Sequence, residues 1–471
     1  MQITGVRGLR CNIPQRHRAL FFQSDIESQV LAGPARIHGY RYRRAPIPDN
    51  GAFSRRETGI PLMQKAVAAQ SVMPAAAQSA VLPILISLSF CHTLNDLMQS
   101  MIPALYPMIK DQFHLDFTQI GLITMAFQLT AALLQPTIGA YTDNRPQPYS
   151  LAIGMGATLI GLILLSVAHD YVMVLFSAAL VGVGSAVFHP EASRVVRIAS
   201  GGRYSFAQSL FQVGGNIGSA IGPLLAALIV LPRGQGAIAW FSLSALVAMV
   251  VLTRVGMWYA ARARPSRAAG RAAFGASGLS QRRVVFCIFV LMVLIFSKNV
   301  YTSSLTSFFT FYLIERFHLS VHDAQVQLFI FMTAIAVGTL IGGPITDRIG
   351  RRPMIWISIV GALPFTLALP YASLFWTDVL TVIIGLLMAS AFPAILVYAQ
   401  ELVPGRIGMI SGLFFGFTFG LGGLGAAAMG RIADATSVGF VYQLCSYLPA
   451  IGLAAWLLPN LDRMRPPRYV P

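Results

Sequence analysis

Apolar segments long enough to cross a membrane recur along this chain from residue 82 to residue 459. A helix needs about 20 apolar residues to span the hydrocarbon core of a bilayer. Twelve runs satisfy that length: residues 82–108, 117–142, 149–168, 171–196, 206–231, 236–258, 284–313, 324–346, 353–372, 376–401, 407–430 and 437–459. Numbered as spans 1 to 12, they predict an all-α membrane protein with twelve transmembrane helices.

The twelve runs fall into two sets of six that repeat each other. A shift of about 203 residues lays "GAYTD" (139–143) over "GPITD" (343–347), and Pro190 over Pro393. A shared register of this kind indicates an internal duplication. We therefore predict two pseudo-symmetric six-helix halves, residues 81–260 and 284–460, joined by a Gly/Ala/Arg-rich loop at 261–283.

Composition and the position of the basic residues define the expected environment. The chain is 55% hydrophobic and 11% charged, whereas a soluble protein has about 25% charged residues. Arginines cluster in one set of loops, in the central loop and in a basic tail at 461–471. By the positive-inside rule these segments, and both termini, lie in the cytoplasm of a bacterial inner-membrane protein. The net charge of +17 then needs no nucleic-acid partner.

Residues 1–80 are rich in arginine and lack an apolar run of membrane length. One interpretation is a disordered cytoplasmic tail. The other is that translation begins at Met63 or Met73, so that the preceding residues are not made. Neither interpretation assigns this segment a function.

A stripe of polar side chains interrupts span 1 around "CHTLNDL" (91–97). Its members are spaced i, i+3, i+4 and i+7, so they share one face of a helix: His92, Asn95, Asp96 and Gln99. A carboxylate in mid-span costs a few kcal/mol and usually has a function. Asp96 is therefore the first candidate for proton coupling. His92, with an unperturbed pKa near neutrality, is either a relay or a structural donor to a backbone carbonyl.

Two other spans carry ionisable residues. Lys298 in span 7 is the sole lysine inside any predicted span, and Asn299 follows it. The stretch "VFHPEASR" in span 4 adds His189 and Glu191. Asp96 shifted by about 203 residues falls next to Lys298, so we expect the two to face each other across a cavity. A permanent ion pair or a snorkelling lysine is the alternative, and Glu191 is the second candidate proton carrier.

Two loops resemble the signature G-x-x-x-D-R-x-G-R-R of the major facilitator superfamily. "GGPITDRIGRRP" (342–353) matches throughout, and "GAYTDNRPQP" (139–148) lacks the later glycine and arginines. The resemblance implies a conformational latch, weaker in the first half. Its residues are Gly139, Asp143 and Arg145 in the first half, and Gly343, Asp347, Arg348, Gly350, Arg351 and Arg352 in the second.

Span 5 contains Gly218, Gly222 and Pro223, which are similar to the antiporter motif of the same superfamily. Small residues four apart let helices approach closely and proline bends a helix, but such patterns are common in membrane bundles. In span 4, Ala178 stands where the superfamily carries an arginine, so the role of that arginine is not transferred.

"CHTLNDL", "VFHPEASR" and the glycine-rich segment 401–434 together resemble the fosmidomycin-resistance branch of this superfamily, over residues 80–460. The resemblance implies a substrate site between two parallel halves. It also implies proton-driven antiport, that is, efflux of a small drug-like or anionic compound. Proton-coupled uptake of an organic anion or a sugar is the alternative, because one fold serves both directions.

The sequence offers little for an enzyme or an ATP-driven pump. No phosphate-binding loop of the G-x-x-x-x-G-K-[ST] type occurs. The four cysteines show neither a disulfide framework nor metal-ligand spacing. We therefore expect no cofactor and no metal, and a monomer whose partners are a small-molecule substrate, protons and the lipid bilayer.

Overall fold

The structure, a computed structural model, describes residues 79–115, 117–262 and 279–461, and every regular element in them is helical. The predicted tail up to residue 78 lies outside the described residues. So do most of the central loop and of the C-terminal tail. An all-α fold is thus confirmed for the described part of the chain.

The helices follow one another along the chain with short connections. The first half contains α1 (Leu82–Ala104), α2 (Tyr106–Phe113), α3 (Phe117–Asn144), α4 (Ser150–Ser166), α5 (Tyr171–Ala199), α6 (Tyr204–Leu225), α7 (Leu231–Arg233) and α8 (Ser242–Ala260). The second contains α9 (Gln281–Phe317), α10 (Val321–Ile349), α11 (Arg351–Ile359), α12 (Leu363–Ala368), α13 (Leu374–Ala389), α14 (Ala391–Leu402), α15 (Ile407–Ala435) and α16 (Val438–Ser446). A π-helical turn (Ala226–Val230) and 3₁₀ segments (Gln235–Phe241, Leu369–Tyr371, Leu448–Leu457) extend several of them.

Nine helical stretches of the described residues are long and apolar enough to cross a membrane. Helix α4 (Ser150–Ser166) and the Ile407–Leu421 part of α15 are shorter apolar stretches. Each of the twelve predicted runs overlaps a helix, but the count of twelve spans and the cytoplasmic termini stay predictions. Helix α1 is not among the nine, and it is the helix that carries the polar stripe.

The two halves end one of their long helical stretches in the same unusual way. His114 follows α2 with φ 53°, and His318 follows α9 with φ 57°. A positive φ is uncommon in residues other than glycine. Both histidines stand in the tripeptide Phe-His-Leu, at an offset close to that of the sequence repeat. A shared backbone conformation therefore accompanies the repeat.

Helix α6 packs directly onto α1 through a row of glycines. A Cβ atom added at Gly218 would lie 2.2 Å from the Thr93 carbonyl oxygen, and one at Gly214 would lie 2.0 Å from the Ser89 carbonyl oxygen. Backbones can approach this closely only where side chains are absent. The glycines of span 5 thus set the distance between α6 and the helix that holds Asp96.

We predict that Gly218→Leu destabilises the protein by about 1–3 kcal/mol or more, because a side chain there must push α6 away from α1. The measurement is the thermal unfolding midpoint of purified protein in detergent. Gly121→Leu is the matched control, because Gly121 is an exposed residue of α3 with nothing within 4 Å of an added Cβ. Equal midpoints for both variants would contradict the role given to this contact.

Candidate functional site

A cavity of about 180 Å³ lies between helices of the first half and helices of the second. Helices α1, α5 and α6 form one wall, and α9, α10, α14 and α15 contribute to the opposite wall. The polar part of its lining includes His92, Asp96, His189, Gln212, Asn216, Lys298 and Asn299. Charged and amide side chains at this position face an enclosed space between helices.

Asp96 lies between two histidines. Its Oδ2 atom is 3.3 Å from Nε2 of His92, and its Oδ1 atom is 3.6 Å from Nε2 of His189. Asn95 donates a hydrogen bond of 2.9 Å to Oδ1. Both histidines are almost completely buried and 13% of the Asp96 side chain is exposed, so the carboxylate is the most accessible of the three side chains that line the cavity here.

The hydrogen bonds of the two imidazoles determine where their hydrogens lie. Nδ1 of His92 is 2.7 Å from the Phe211 carbonyl oxygen, and Nδ1 of His189 is 3.0 Å from the Ser185 carbonyl oxygen. A carbonyl oxygen only accepts, so both Nδ1 atoms carry a hydrogen. In a neutral imidazole the Nε2 atom then carries a lone pair and no hydrogen. The Nε2 lone pairs of both histidines face the same carboxylate.

Three acceptors that face one another repel, and a cation between them would relieve that repulsion. A proton on either Nε2 atom converts a repulsive contact into a charge-assisted hydrogen bond. The ligand atoms of His92, Asp96 and His189 also lie within 4.8 Å of one another, a spacing that could hold a metal ion instead. We call these three residues the carboxylate–histidine cluster.

Aromatic rings and the α6 backbone enclose this cluster. The ring of Phe211 stacks on His92 with centroids 4.0 Å apart, and Phe415 lies 4.9 Å from His189. A Cβ atom at Gly215 would lie 2.6 Å from the His92 ring and 2.8 Å from Asp96 Oδ2. The glycine row of α6 therefore leaves room for the cluster as well as for α1.

The other predicted cavity residues divide into two groups. Lys298 and Asn299 line the same cavity as Asp96. Among the described residues, however, the close side-chain contacts of the Asp96 carboxylate are with Asn95 and the two histidines and not with Lys298. Gln99 is buried in α1 but is not part of the cavity lining, and Glu191 lies elsewhere.

The latch loops join the two halves on one side of the bundle. Asp347 accepts hydrogen bonds from the backbone amides of Ser205 (3.0 Å) and Phe206 (2.9 Å), at the N-terminus of α6. Asp143 accepts from the amides of Gly408 (2.9 Å) and Met409 (2.8 Å), at the N-terminus of α15. Each carboxylate caps a helix of the opposite half, where the helix dipole favours negative charge.

Each capping aspartate also has an arginine partner. In the second half Arg351 lies 3.8 Å from Asp347 and 3.1 Å from Glu401. In the first half, whose loop lacks the corresponding arginine, Arg194 of α5 lies 2.7 Å from Asp143 and 2.5 Å from Glu191. The first-half loop thus lacks the later arginines, as its sequence shows, and Arg194 of α5 lies beside Asp143 instead.

The remaining latch residues have separate roles. Gly139 lets α3 approach α15, because an added Cβ would lie 2.1 Å from the Gly408 oxygen. Gly350 has φ 95°, a conformation that favours glycine. Arg145 and Arg348 are exposed, and Arg352 donates to the Trp456 carbonyl oxygen over 3.1 Å.

A bundle of apolar helices with a polar cavity between two halves, joined by helix-capping aspartates, is typical of helical membrane transporters. Residues 88–427 and 300–468 match the family description "Major Facilitator Superfamily". The chain belongs to the Major Facilitator Superfamily. Its fold and relatives are those of transporters rather than enzymes, and with its apolar helices it is a multi-pass protein of the bacterial inner membrane.

Two bacterial relatives align over most of the chain. The fosmidomycin resistance protein of Escherichia coli (strain K12) is 56% identical over 377 residues, which cover 80% of this chain and 93% of that protein. The uncharacterized MFS-type transporter YfnC of Bacillus subtilis (strain 168) is 39% identical and covers 82% and 95%. The resemblance to the fosmidomycin-resistance branch is thereby confirmed.

Solved structures share the fold at low identity. The crystal structure of the MFS transporter FucP in the outward conformation has a TM-score of 0.65 and 15% identity, covering 81% of this chain and 100% of that one. The human organic anion transporter MFSD10 (TETRAN) has a TM-score of 0.62 and 17% identity, covering 80% and 99%.

Sequence reasoning missed the contribution of α6 to the cavity. Gln212, Asn216 and Ser219 are spaced i, i+4 and i+7, so they form a polar stripe like that of span 1. This polar spacing is visible in the sequence, in the same span as the glycine motif, and it could have predicted the cavity wall. Thr339 and Thr418, by contrast, give no signal, because single threonines are ordinary in apolar helices.

We predict that Asp347→Asn slows transport while the protein still folds and inserts. An uncharged amide weakens the cap on α6 and so changes the balance between the latched and open states. The measurement is turnover at matched membrane levels, with Asp143→Asn tested in parallel. Wild-type turnover in both variants would contradict the latch.

We also predict that Arg194→Met lowers the free energy of unfolding by about 3–5 kcal/mol, because it leaves two buried carboxylates without their cation. Thermal unfolding of purified protein measures the effect. Adding Glu191→Gln in the same chain removes one of the two unpaired carboxylates and should recover part of the loss. Arg254→Met is the matched control, since Arg254 is exposed on α8. A double variant no more stable than Arg194→Met would contradict this account.

Proposed function

We propose that this protein is a proton-driven antiporter that exports a small, drug-like or anionic compound by alternating access. The main observation in support of this proposal is the carboxylate–histidine cluster, which faces a cavity between the two halves. A coupled transporter needs a protonatable group that each side of the membrane reaches in turn, and alternating access exposes the midplane between the halves.

We assign proton coupling to Asp96 together with His92 and His189. Both histidines donate through Nδ1 to backbone carbonyls, so a proton arriving from the cavity has the Nε2 atoms and the carboxylate available. Asn95 orients the carboxylate, and Lys298 and Asn299 belong to the substrate wall. Gln99 has no such contact, and we give it a supporting position within α1.

Glu191 remains the second candidate carrier, but its surroundings favour a different role. It lies against Arg194 and Ser150, and its side chain is about 1% exposed. A carboxylate with a permanent cationic partner is poorly placed to exchange protons with a cavity. We therefore group Glu191 with the latch.

Two observations support export. The relative that is 56% identical carries the name fosmidomycin resistance protein, and removal of a compound from the cytoplasm is a direct route to resistance. The span 5 motif of Gly218, Gly222 and Pro223 is similar to that of antiporters. Fosmidomycin, a phosphonate, is accordingly the first compound to test as a substrate.

Proton-coupled uptake of an organic anion or sugar is the second candidate. A protonated cluster and Lys298 would both attract an anion, so simultaneous binding of proton and anion is electrostatically favourable. A structural neighbour is also named as the E. coli fucose:proton symporter. The direction of fosmidomycin movement under an imposed proton gradient separates the candidates.

For topology we propose twelve spans, both termini in the cytoplasm and the latch on the cytoplasmic side, as the arginine distribution predicts. We further propose that the monomer is the transporting unit, because the described cavity is enclosed by helices of a single chain. No part of the proposal requires nucleic acid.

We predict that Asp96→Asn abolishes gradient-driven accumulation of fosmidomycin but preserves downhill exchange. The amide keeps the shape of the side chain and loses the proton site. Proteoliposomes with and without an imposed proton gradient measure both quantities. Asp170→Asn is the matched control, because Asp170 caps α5 at an exposed position where asparagine caps equally well.

Three outcomes distinguish the alternatives. Normal pumping by Asp96→Asn with failure of Glu191→Gln would transfer the proton to Glu191. Loss of exchange as well as accumulation would make Asp96 a substrate or structural residue. Wild-type transport that stops after treatment with a chelator would identify a metal ion, rather than a proton, in the cluster.

A further inference from the structure

We infer that Lys298 and Asn299 form the binding site for the anionic headgroup of the substrate, a small organic acid with one phosphonate or carboxylate group. This inference rests on the proposed transport function and specifies where its substrate binds. The site belongs to α9, on the wall opposite the carboxylate–histidine cluster.

Lys298 has a charge that the surrounding described residues do not balance. It lies near the middle of α9, and its side chain makes no hydrogen bond or ion pair with any described residue. Asp96, the carboxylate across the cavity, is already engaged by two histidines. Lys298 is half-buried, and a cation inside a membrane bundle without a partner is costly unless a ligand balances its charge.

Asn299 supplies a second unused donor beside the lysine. It is only 8% exposed and lines the cavity. Its Nδ2 atom is buried and has no hydrogen-bond partner among the described residues. A buried donor of this kind normally has a partner, and one anionic oxygen could accept from Asn299 while another pairs with Lys298.

The far side of Lys298 offers no anionic partner among the residues that the structure describes, and Thr302 is its one hydroxyl residue. A narrow cleft runs from the lysine between α9, α10 and α13, and apolar side chains such as Leu305, Phe331 and Met388 line it. The uncompensated charge is therefore directed to the cavity rather than to a counter-ion within the second half.

Size and shape restrict the rest of the substrate. A volume of about 180 Å³ is that of roughly six water molecules at about 30 Å³ each. It is smaller than the roughly 300–1,000 Å³ of drug-sized pockets. Phe392, Phe415 and Phe419 line the same space, so an acid with a short apolar body fits better than a polyol.

The experiment measures binding of fosmidomycin, methylphosphonate and propionate to the purified full-length protein in nanodiscs. Lys298→Gln should raise the Kd for the anions about tenfold or more, as expected when a hydrogen bond to a charged group is lost. Lys298→Arg should retain part of the affinity. A neutral diester of fosmidomycin should bind wild type and Lys298→Gln equally weakly.

Asn299→Ala should weaken anion binding less than Lys298→Gln, and Asn299→Asp should weaken it more, because a second negative charge then opposes the ligand. Lys110→Gln is the control, since Lys110 lies in α2 outside the cavity lining. The thermal midpoint of Lys298→Gln should not fall, because the change removes an unbalanced charge.

Unchanged anion affinity in Lys298→Gln would overturn the inference, and so would a wild type that binds none of the three probes. Failure of the proposed function looks different: the wild type would bind the anions through Lys298, but a proton gradient would not move them.

Discussion

One buried carboxylate imposes the main constraint on this structure. A negative charge inside a membrane bundle is expensive unless other groups compensate it. Here Asn95 donates to the carboxylate, and two histidines fixed by hydrogen bonds to carbonyl oxygens place their Nε2 atoms where a proton would compensate the charge. The glycine row of α6 lies against this carboxylate, at positions where any side chain would collide with the cluster or with α1.

The two interhalf contacts show how a duplicated fold can keep an arrangement of charges without keeping the residues that supply it. In both halves an aspartate caps a helix of the other half and an arginine joins it to a glutamate. The second half takes its arginine from the loop itself, whereas the first takes it from α5. Coulombic attraction depends on the position of the charge and not on the chain segment that carries it.

Sequence patterns were sufficient for the helical membrane fold and the family, because apolar length and the loop signature are local features. They were insufficient for the contacts of Asp96. Pseudo-symmetry suggested Lys298 as its partner, but the partners in the structure are His92, one turn away, and His189 on another helix. Arg194 ends the stretch "VFHPEASR" of span 4, but its pairing with Asp143 could not be predicted, since that distance depends on how α3 and α5 cross.

Helix α5 carries a member of each site within a short distance. His189 belongs to the cavity cluster, and Arg194, five residues later, belongs to the latch. At 1.5 Å per residue, that separation is about 7.5 Å along one helix. A rigid displacement of α5 would therefore move both His189 in the cavity and Arg194 beside Asp143. If the protein transports as proposed, one helix can link the state of the cavity to the contacts between the halves.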